Sequence, residues 1–169
     1  MRVDRAFCFI DLCGFTRFTD EHGDQEAVDV LTRFRAAVRE TASEHAVRVD
    51  KWLGDGVMLV STDDDRLVEA VLELARCAES YGVSLPMRAG MAAGAVLLLE
   101  GDDYVGSSVN LAARLCNAAG PHQIYATMRL AAAVTDGADV VPVGALEVPG
   151  FVQAVEVARI EIHALTSPS

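Results

Sequence analysis

The first segment of the chain carries an uninterrupted apolar run at residues 6–10, which stops abruptly at Asp11. A continuous apolar run of this length is typical of a strand buried on both faces, and Gly14 then breaks the pattern. We therefore predict a central strand that ends in a carboxylate. A charged group at the end of such a strand requires a chemical explanation.

The next segments predict a helix and then a β-hairpin. After Asp24, which we expect to cap the helix, apolar residues recur at helical spacing, namely Ala27, Leu31, Phe34, Val38 and Ala42. Residues 47–53 and 57–61 are strand-like and flank Gly54-Asp55-Gly56. An Asp-Gly pair between apolar runs is a strong hairpin signal, so we place Asp55 at the hairpin tip.

The remaining pattern predicts further helices and strands. Gly90 and Gly94 are expected to permit a bend or bulge in one of these strands. Ser107 or Ser108 is expected to cap a helix that ends before Gly120-Pro121. The predicted elements are a helix over 64–81, a strand over 87–99, a helix over 107–119, a short strand over 122–126, a helical segment over 128–134, and a closing hairpin of 140–148 with 154–162.

The first six predicted elements follow the order β, α, β, β, α, β, which suits an α+β sandwich of the ferredoxin-like, palm-like type. In this architecture a mostly antiparallel sheet has helices packed on one face. The chain has 169 residues, of which 51% are hydrophobic, enough for one compact domain with a substantial core. We expect a single domain over residues 1–163 and a tail at 164–169.

The charge of the chain excludes one class of partner. It has 14 basic and 25 acidic residues, a formal net charge of -11, and no run of Lys or Arg that would follow a nucleic-acid backbone. We therefore expect no nucleic-acid partner. A bound metal ion and a few local cations reverse the sign of a single cleft, so a small polyanion such as ATP remains compatible with this charge.

The cysteine pattern and the apolar segments indicate a cytoplasmic protein. Cys8, Cys13, Cys77 and Cys116 include no CxxC pair, which favours reduced, mostly core thiols. The chain has no apolar run near the roughly 20 residues that a membrane-spanning helix needs, so we expect no membrane association within this chain.

Two pairs of polar residues are candidates for chemistry. Asp11 and Asp55 end neighbouring predicted strands, and two carboxylates at one sheet edge suit hard divalent ions that hold phosphates. Asn110 and Arg114 are spaced i, i+4 and so lie on one helix face, where an amide and a cation can hold a sugar and a phosphoryl group. Each pair alone is a weak signal, because a turn aspartate or an exposed arginine is common.

The order of these motifs is more specific than any one of them. The motifs are Phe9-Ile10-Asp11-Leu12-Cys13-Gly14-Phe15-Thr16, Lys51-Trp52-Leu53-Gly54-Asp55-Gly56, Asp103-Tyr104-Val105-Gly106, Val109-Asn110-Leu111-Ala112-Ala113-Arg114, and a closing Gly150-Phe151 with Val155-Glu156-Val157. Together they resemble the class III adenylyl and guanylyl cyclase catalytic domain, of the bacterial adenylyl cyclase type, from about residue 6 to residue 160.

The resemblance implies a two-metal reaction in which the ribose 3′-hydroxyl of ATP attacks the α-phosphate and expels pyrophosphate. Asp11 and Asp55 would bind two Mg²⁺ or Mn²⁺ ions, with the Leu12 carbonyl as a further ligand. Backbone amides around Phe15 and Thr16 would contact the phosphates.

By the same resemblance, Asn110 would orient the ribose and Arg114 would neutralise charge on the α-phosphate. Lys51 and Asp103 would read adenine, with Lys donating to ring N1 and Asp accepting from the N6 amino group. Guanine presents the opposite donor and acceptor pattern there, so we favour ATP. In the family these residues divide between two subunits, which implies a homodimer with shared active sites.

Two alternatives stay open at this point. One is a guanylyl cyclase or a cyclase of relaxed specificity, against which Lys51 and Asp103 argue. The other is a catalytically weak nucleotide-binding regulatory module. This alternative is considered because the segment 148–153 has no Lys, whereas many family members carry a triphosphate-binding Lys there. Arg88 is a candidate replacement, and the segment 96–103 is shorter than is usual in the family.

Overall fold

A computed structural model describes residues 1–163, so the predicted tail at 164–169 lies outside the described residues. The strands are β1 (Arg2–Leu12), β2 (Arg48–Leu53), β3 (Gly56–Ser61), β4 (Met87–Leu98), β5 (Tyr104–Val105), β6 (Ile124–Thr127), β7 (Ala138–Leu146) and β8 (Val155–Ile162). The helices are α1 (Phe15–His22), α2 (Asp24–Glu44), α3 (Asp64–Cys77), α4 (Ser107–Ala118) and α5 (Met128–Ala131), and a 3₁₀ turn (Ala78–Tyr81) extends α3.

The strands form one sheet in the order β2-β3-β1-β4-β6-β8-β7, with β5 paired to β4. All neighbouring pairs are antiparallel except β4 and β6, which are parallel. The central position of β1 explains its continuous apolar run, because both faces of the strand are covered. The predicted α+β class with a mostly antiparallel sheet is confirmed.

The helices cover both faces of the sheet, which corrects the expectation that they lie on one. Alternate β1 side chains, such as Cys8 and Ile10, enter a core with residues of α2 and α3. Phe7 instead enters a second core with Ala112 and neighbouring residues of α4. Since successive strand side chains point to opposite faces, α4 packs on the face opposite α2 and α3.

Two glycines of β4 explain how α4 sits on the sheet. The register between β1 and β4 is continuous, so the bend or bulge expected at Gly90 and Gly94 is not formed between these strands. A Cβ atom at Gly90 would lie 2.2 Å from the Cys116 backbone nitrogen, and one at Gly94 would lie 2.3 Å from Ser108 Oγ. The glycines therefore serve close approach of the helix to the strand.

The predicted helix boundaries need small corrections. Helix α1 was not predicted, because it has only eight residues, buries no side chain fully and follows directly on the break at Gly14. Gly23 and Gly106, rather than Asp24 and a serine, occupy the capping positions of α2 and α4. Asp24 lies one position later, in the first turn of α2, where its negative charge interacts favourably with the positive end of the helix dipole.

All four cysteines are free. Cys8 and Cys116 are buried as expected, whereas Cys13 and Cys77 are partly exposed. Burial raises the pKa of Cys116 to about 12, so this thiol stays protonated at neutral pH. Within residues 1–163, the helices are too short or too polar for any of them to cross a bilayer.

Candidate active site

The ends of β1 and β3 bring Asp11 and Asp55 to one edge of the sheet. In the antiparallel register Asp11 lies opposite Gly56, the residue that follows Asp55. The Leu12 backbone N–H also donates to the Asp55 carbonyl oxygen at 3.2 Å, which fixes the hairpin tip against the end of β1. Both carboxylates line a cavity of about 170 Å³ that α4 closes with Cys116 and neighbouring residues. The predicted hairpin placement of Asp55 is confirmed.

Arg88 neutralises the first of these carboxylates. It lies directly opposite Asp11 in the register of β1 and β4. Its Nε donates to Asp11 Oδ1 at 2.6 Å and its Nη2 donates to Oδ2 at 3.0 Å, a bidentate pair. Its Nη1 also donates to the Asn117 carbonyl oxygen at 3.1 Å, near the end of α4. The sequence pattern gave no signal for this pair, because the strand neighbours were not known.

The second carboxylate is in a less favourable environment. Burial raises the pKa of Asp55, and the nearby Asp11 charge raises it further, while Arg88 acts in the opposite direction. Two carboxylates facing one small cavity with a single arginine leave an excess of negative charge. Oxygen ligands and a negative site are what Mg²⁺ and Mn²⁺ require, so this donor set fits a divalent ion. An ion at Asp11 would share that carboxylate with Arg88 or displace it.

The chain turns sharply after Asp11 and starts α1. Gly14 adopts a left-handed conformation with φ 75°, and no side chain caps the helix. Phe15 packs against the main core while Thr16 is exposed. The first backbone N–H groups of a helix lack intrahelical acceptors, so the amides of Phe15 and Thr16 are available to an anion.

Lys51 of β2 and Asp103, the residue before β5, meet at the surface of the chain. Although they are 52 residues apart, Lys51 Nζ donates to Asp103 Oδ1 at 2.8 Å. Both side chains are about half exposed, at 48% and 57%. The hydrogen bond from Lys51 to Asp103 raises the pKa of the lysine. The structure thus brings together the two residues for which the resemblance implied a joint role.

Asn110 and Arg114 lie on the exposed surface of α4. Neither side chain makes a hydrogen bond or ion pair with another residue in the described part of the chain. They line a second, open cavity of about 540 Å³ together with residues 149–152, which connect β7 to β8. Asp11 and Asp55 line a different cavity, which adjoins this one at Ala113 and Asn117.

The chain is similar to known proteins over most of its length. It matches the adenylate and guanylate cyclase catalytic domain over residues 4–166. It is 43% identical over 122 residues to an uncharacterized protein of Mycobacterium tuberculosis, covering 72% of this chain and 32% of that protein. It is 33% identical over 119 residues to an adenylate cyclase of Streptomyces coelicolor, covering 69% of this chain and 31% of that protein. It therefore spans about a third of the length of these curated relatives.

A solved structure has a similar fold. The adenylyl cyclase CyaB from P. aeruginosa superposes with a TM-score of 0.83 at 22% sequence identity. The superposition covers 99% of this chain and 98% of that chain. At this identity the likeness concerns the fold.

Proposed function

Because the chain belongs to the family of adenylate and guanylate cyclase catalytic domains, we propose that it is an adenylyl cyclase that converts ATP to 3′,5′-cyclic AMP and pyrophosphate. The observation that carries the choice of ATP is the contact between Lys51 and Asp103. A lysine donor beside an aspartate acceptor matches N1 and N6 of adenine and mismatches guanine. When the bound base buries these contacts, each mismatch costs about 1–3 kcal/mol, so two mismatches disfavour GTP by about 30-fold to about 10⁴-fold.

The acidic edge of the sheet would hold the triphosphate end of ATP. Asp11, Asp55 and the Leu12 carbonyl would hold two divalent ions, Mg²⁺ or Mn²⁺. Such ions lower the pKa of the attacking hydroxyl and neutralise the phosphates. The free amides of Phe15 and Thr16 would contact the phosphates. Arg88, which contacts Asp11, would be released from or shared with that carboxylate and would replace the lysine missing from the β7–β8 connection.

The helix α4 would act on the ribose and the α-phosphate. Asn110 would orient the ribose so that its 3′-oxygen faces the α-phosphorus atom. The new bond joins these two atoms, the bond from the α-phosphorus atom to the oxygen that bridges the α- and β-phosphates breaks, pyrophosphate leaves with the bonding electron pair, and the hydroxyl proton passes to solvent. Arg114 would neutralise the charge that grows on the α-phosphate, a role in which losing one donor typically costs about 3–4 kcal/mol.

We further propose that active sites form between two copies of the chain. Asn110 and Arg114 are exposed, and the cavity that they line does not include Asp11 or Asp55. In a homodimer with twofold symmetry, α4 of one protomer would complete the acidic edge of the other, and two equivalent sites would result. Lys51 and Asp55 of one chain would then serve different sites.

The test is cyclic nucleotide release by the purified chain at several protein concentrations, with ATP or GTP and with Mg²⁺ or Mn²⁺. We expect cyclic AMP, formed at a rate that rises faster than linearly with protein concentration. Faster turnover of GTP would identify a guanylyl cyclase. No product at concentrations where light scattering verifies a dimer would support a nucleotide-binding regulatory module, with the missing triphosphate lysine as the suspected defect.

Mixing two inactive variants tests the shared sites. Asp55→Asn and Arg114→Ala each damage both sites of their own homodimer. A mixed dimer would keep one site with both residues intact, so an equal mixture should recover about a quarter of the wild-type rate. Recovery near zero, with exchange of protomers verified, would show that each site is built within one chain.

A further inference from the structure

Asp50, the residue before Lys51, is a buried carboxylate without an adequate partner. Its side chain is only 2% exposed. Its Oδ2 atom is buried and accepts no hydrogen bond from the described residues. The nearest ion-pair contact is from Arg48 Nη2 to Asp50 Oδ1 at 4.0 Å, too long for a hydrogen bond. Buried polar atoms are almost always hydrogen-bonded, so this oxygen needs an explanation.

A β-bulge places Asp50 where it is. In the register of β2 and β3, Val49 lies opposite Leu59 and Lys51 lies opposite Met58, which leaves Asp50 as the extra residue. Bulges re-aim side chains and occur near active sites. Here the bulge lies directly before the lysine of the proposed base-reading pair.

The surroundings of Asp50 form a chain of alternating charges. Arg48 contacts Asp102 at 3.3 Å, and Lys51 contacts Asp103 at 2.8 Å. Burial is the main cause that raises the pKa of Asp50, while Arg48 and Lys51 lower it. In return, Asp50 contributes to the raised pKa of Lys51. The buried carboxylate is therefore close enough to both cations to influence them.

We propose that Asp50 is a positioning residue for nucleotide recognition, whose unpartnered Oδ2 atom accepts from the Lys51 ammonium group when a purine base engages Asp103. This inference rests on the proposed function and deepens it. A lysine ammonium group has three donors and no acceptor. Asp103, the ring nitrogen of adenine and Asp50 supply three acceptors.

The third acceptor matters because Asp103 cannot hold Lys51 alone once the base is bound. The base amino group then competes for the Asp103 carboxylate, and the flexible lysine loses part of its anchor. With Asp50 in place, one donor stays aimed at the base edge, where adenine presents an acceptor and guanine presents a donor. Asp50 would thus strengthen the preference for ATP over GTP without touching the nucleotide.

The experiment compares Asp50→Asn with Asp102→Asn. Both variants remove one negative charge from the same cluster, but Asp102 is 63% exposed and already paired with Arg48. For Asp50→Asn we expect KM for ATP to rise about tenfold, kcat to change less than about threefold, and the ATP-to-GTP ratio of kcat/KM to fall about tenfold. For Asp102→Asn we expect these values to stay within about twofold.

A binding measurement keeps the proposal testable if turnover is absent. ATP and GTP affinities are measured by competition with a fluorescent nucleotide, with Arg114→Ala present in every protein to slow turnover. If the wild-type chain shows no turnover but Asp50→Asn still weakens the binding of ATP relative to that of GTP, the cyclase proposal is rejected and the positioning role is retained. If Asp50→Asn leaves the ATP-to-GTP ratio unchanged in both assays, whether the two affinities stay the same or fall equally, the positioning role is overturned.

Discussion

Two regions that carry the proposed chemistry differ in how their polar groups are satisfied. At the edge of the sheet, the partly buried Asp11 is held by two hydrogen bonds from Arg88. On the surface of α4, Asn110 and Arg114 are exposed and meet no polar partner among residues 1–163. The first region contributes to the stability of the folded chain, whereas the second is available only to a ligand or another protomer. Substitutions should therefore separate stability from activity.

The largest expected effect is loss of turnover at the acidic edge. We expect Asp11→Asn and Asp55→Asn each to lower kcat by on the order of 10³-fold, because each removes a carboxylate that would hold the divalent ions against the phosphates in the transition state. Their effects on stability should differ. Asp11→Asn leaves the Arg88 guanidinium without its anionic partner and should destabilise the fold. Burial raises the pKa of Asp55, so the ionised Asp55 carboxylate destabilises the folded state, and its removal does not.

The measurements for this pair are steady-state kinetics and thermal unfolding on the same preparations. Tm should fall for Asp11→Asn and stay equal or rise for Asp55→Asn. Equal losses of Tm in the two variants would contradict the contrast between a paired and an unpaired carboxylate at this edge.

The next effect is loss of turnover without loss of stability on α4. We expect Asn110→Ala and Arg114→Ala to lower kcat by about 10²–10³-fold and to leave Tm within about 2 °C, because neither side chain has a described protein partner. Arg66→Ala, at an exposed arginine of α3 on the other side of the sheet, is the matched control and should change neither value. A large fall in Tm would show that the α4 residues stabilise the chain itself.

A third, smaller effect concerns the ion pair that joins β1 to β4. Arg88→Met should lower the free energy of unfolding by about 2 kcal/mol, which is about 4–8 °C in Tm for a chain of this size. The loss comes from the uncompensated Asp11 charge, so the double variant Asp11→Asn/Arg88→Met should be more stable than Arg88→Met. Arg159→Met breaks an exposed pair with Glu161 and should cost less than about 1 kcal/mol.

The pattern of the sequence could predict most of the elements, although not α1 or β5, and it could not predict all of their neighbours. The apolar run before Asp11 and the Gly54-Asp55-Gly56 turn are local signals, and both led to the observed strand end and hairpin tip. The face that α4 covers depends on close approach at Gly90, which a linear pattern interprets equally well as a bend.

The partners within the candidate site were harder to predict for the same reason. The pair of Arg88 with Asp11 follows from the register of β1 and β4, in which two residues 77 positions apart in the sequence lie opposite each other. The burial of Asp50 follows from a bulge that shifts the register by one residue. The first depends on which strands are adjacent and the second on the register within a hairpin, and the periodicity of a single sequence encodes neither.

The smallest expected effect tests Asp50, a carboxylate that lies in the sheet like Asp11 but lacks a close cation. Burial raises the pKa of Asp50 above the value near 3.9 that an unfolded chain gives it. The folded state therefore binds its proton more tightly, and wild type loses stability relative to Asp50→Asn as the pH rises from about 4 through the folded-state pKa.

At pH 7 we expect Asp50→Asn to be more stable by about 1 kcal/mol, or 2–4 °C in Tm. Unfolding curves at several pH values between 4 and 8 measure this difference. If the Asp50→Asn variant is less stable than wild type at pH 7, Asp50 stabilises the nucleotide-free chain as Asp11 does. Its carboxylate is then not an unused acceptor for Lys51.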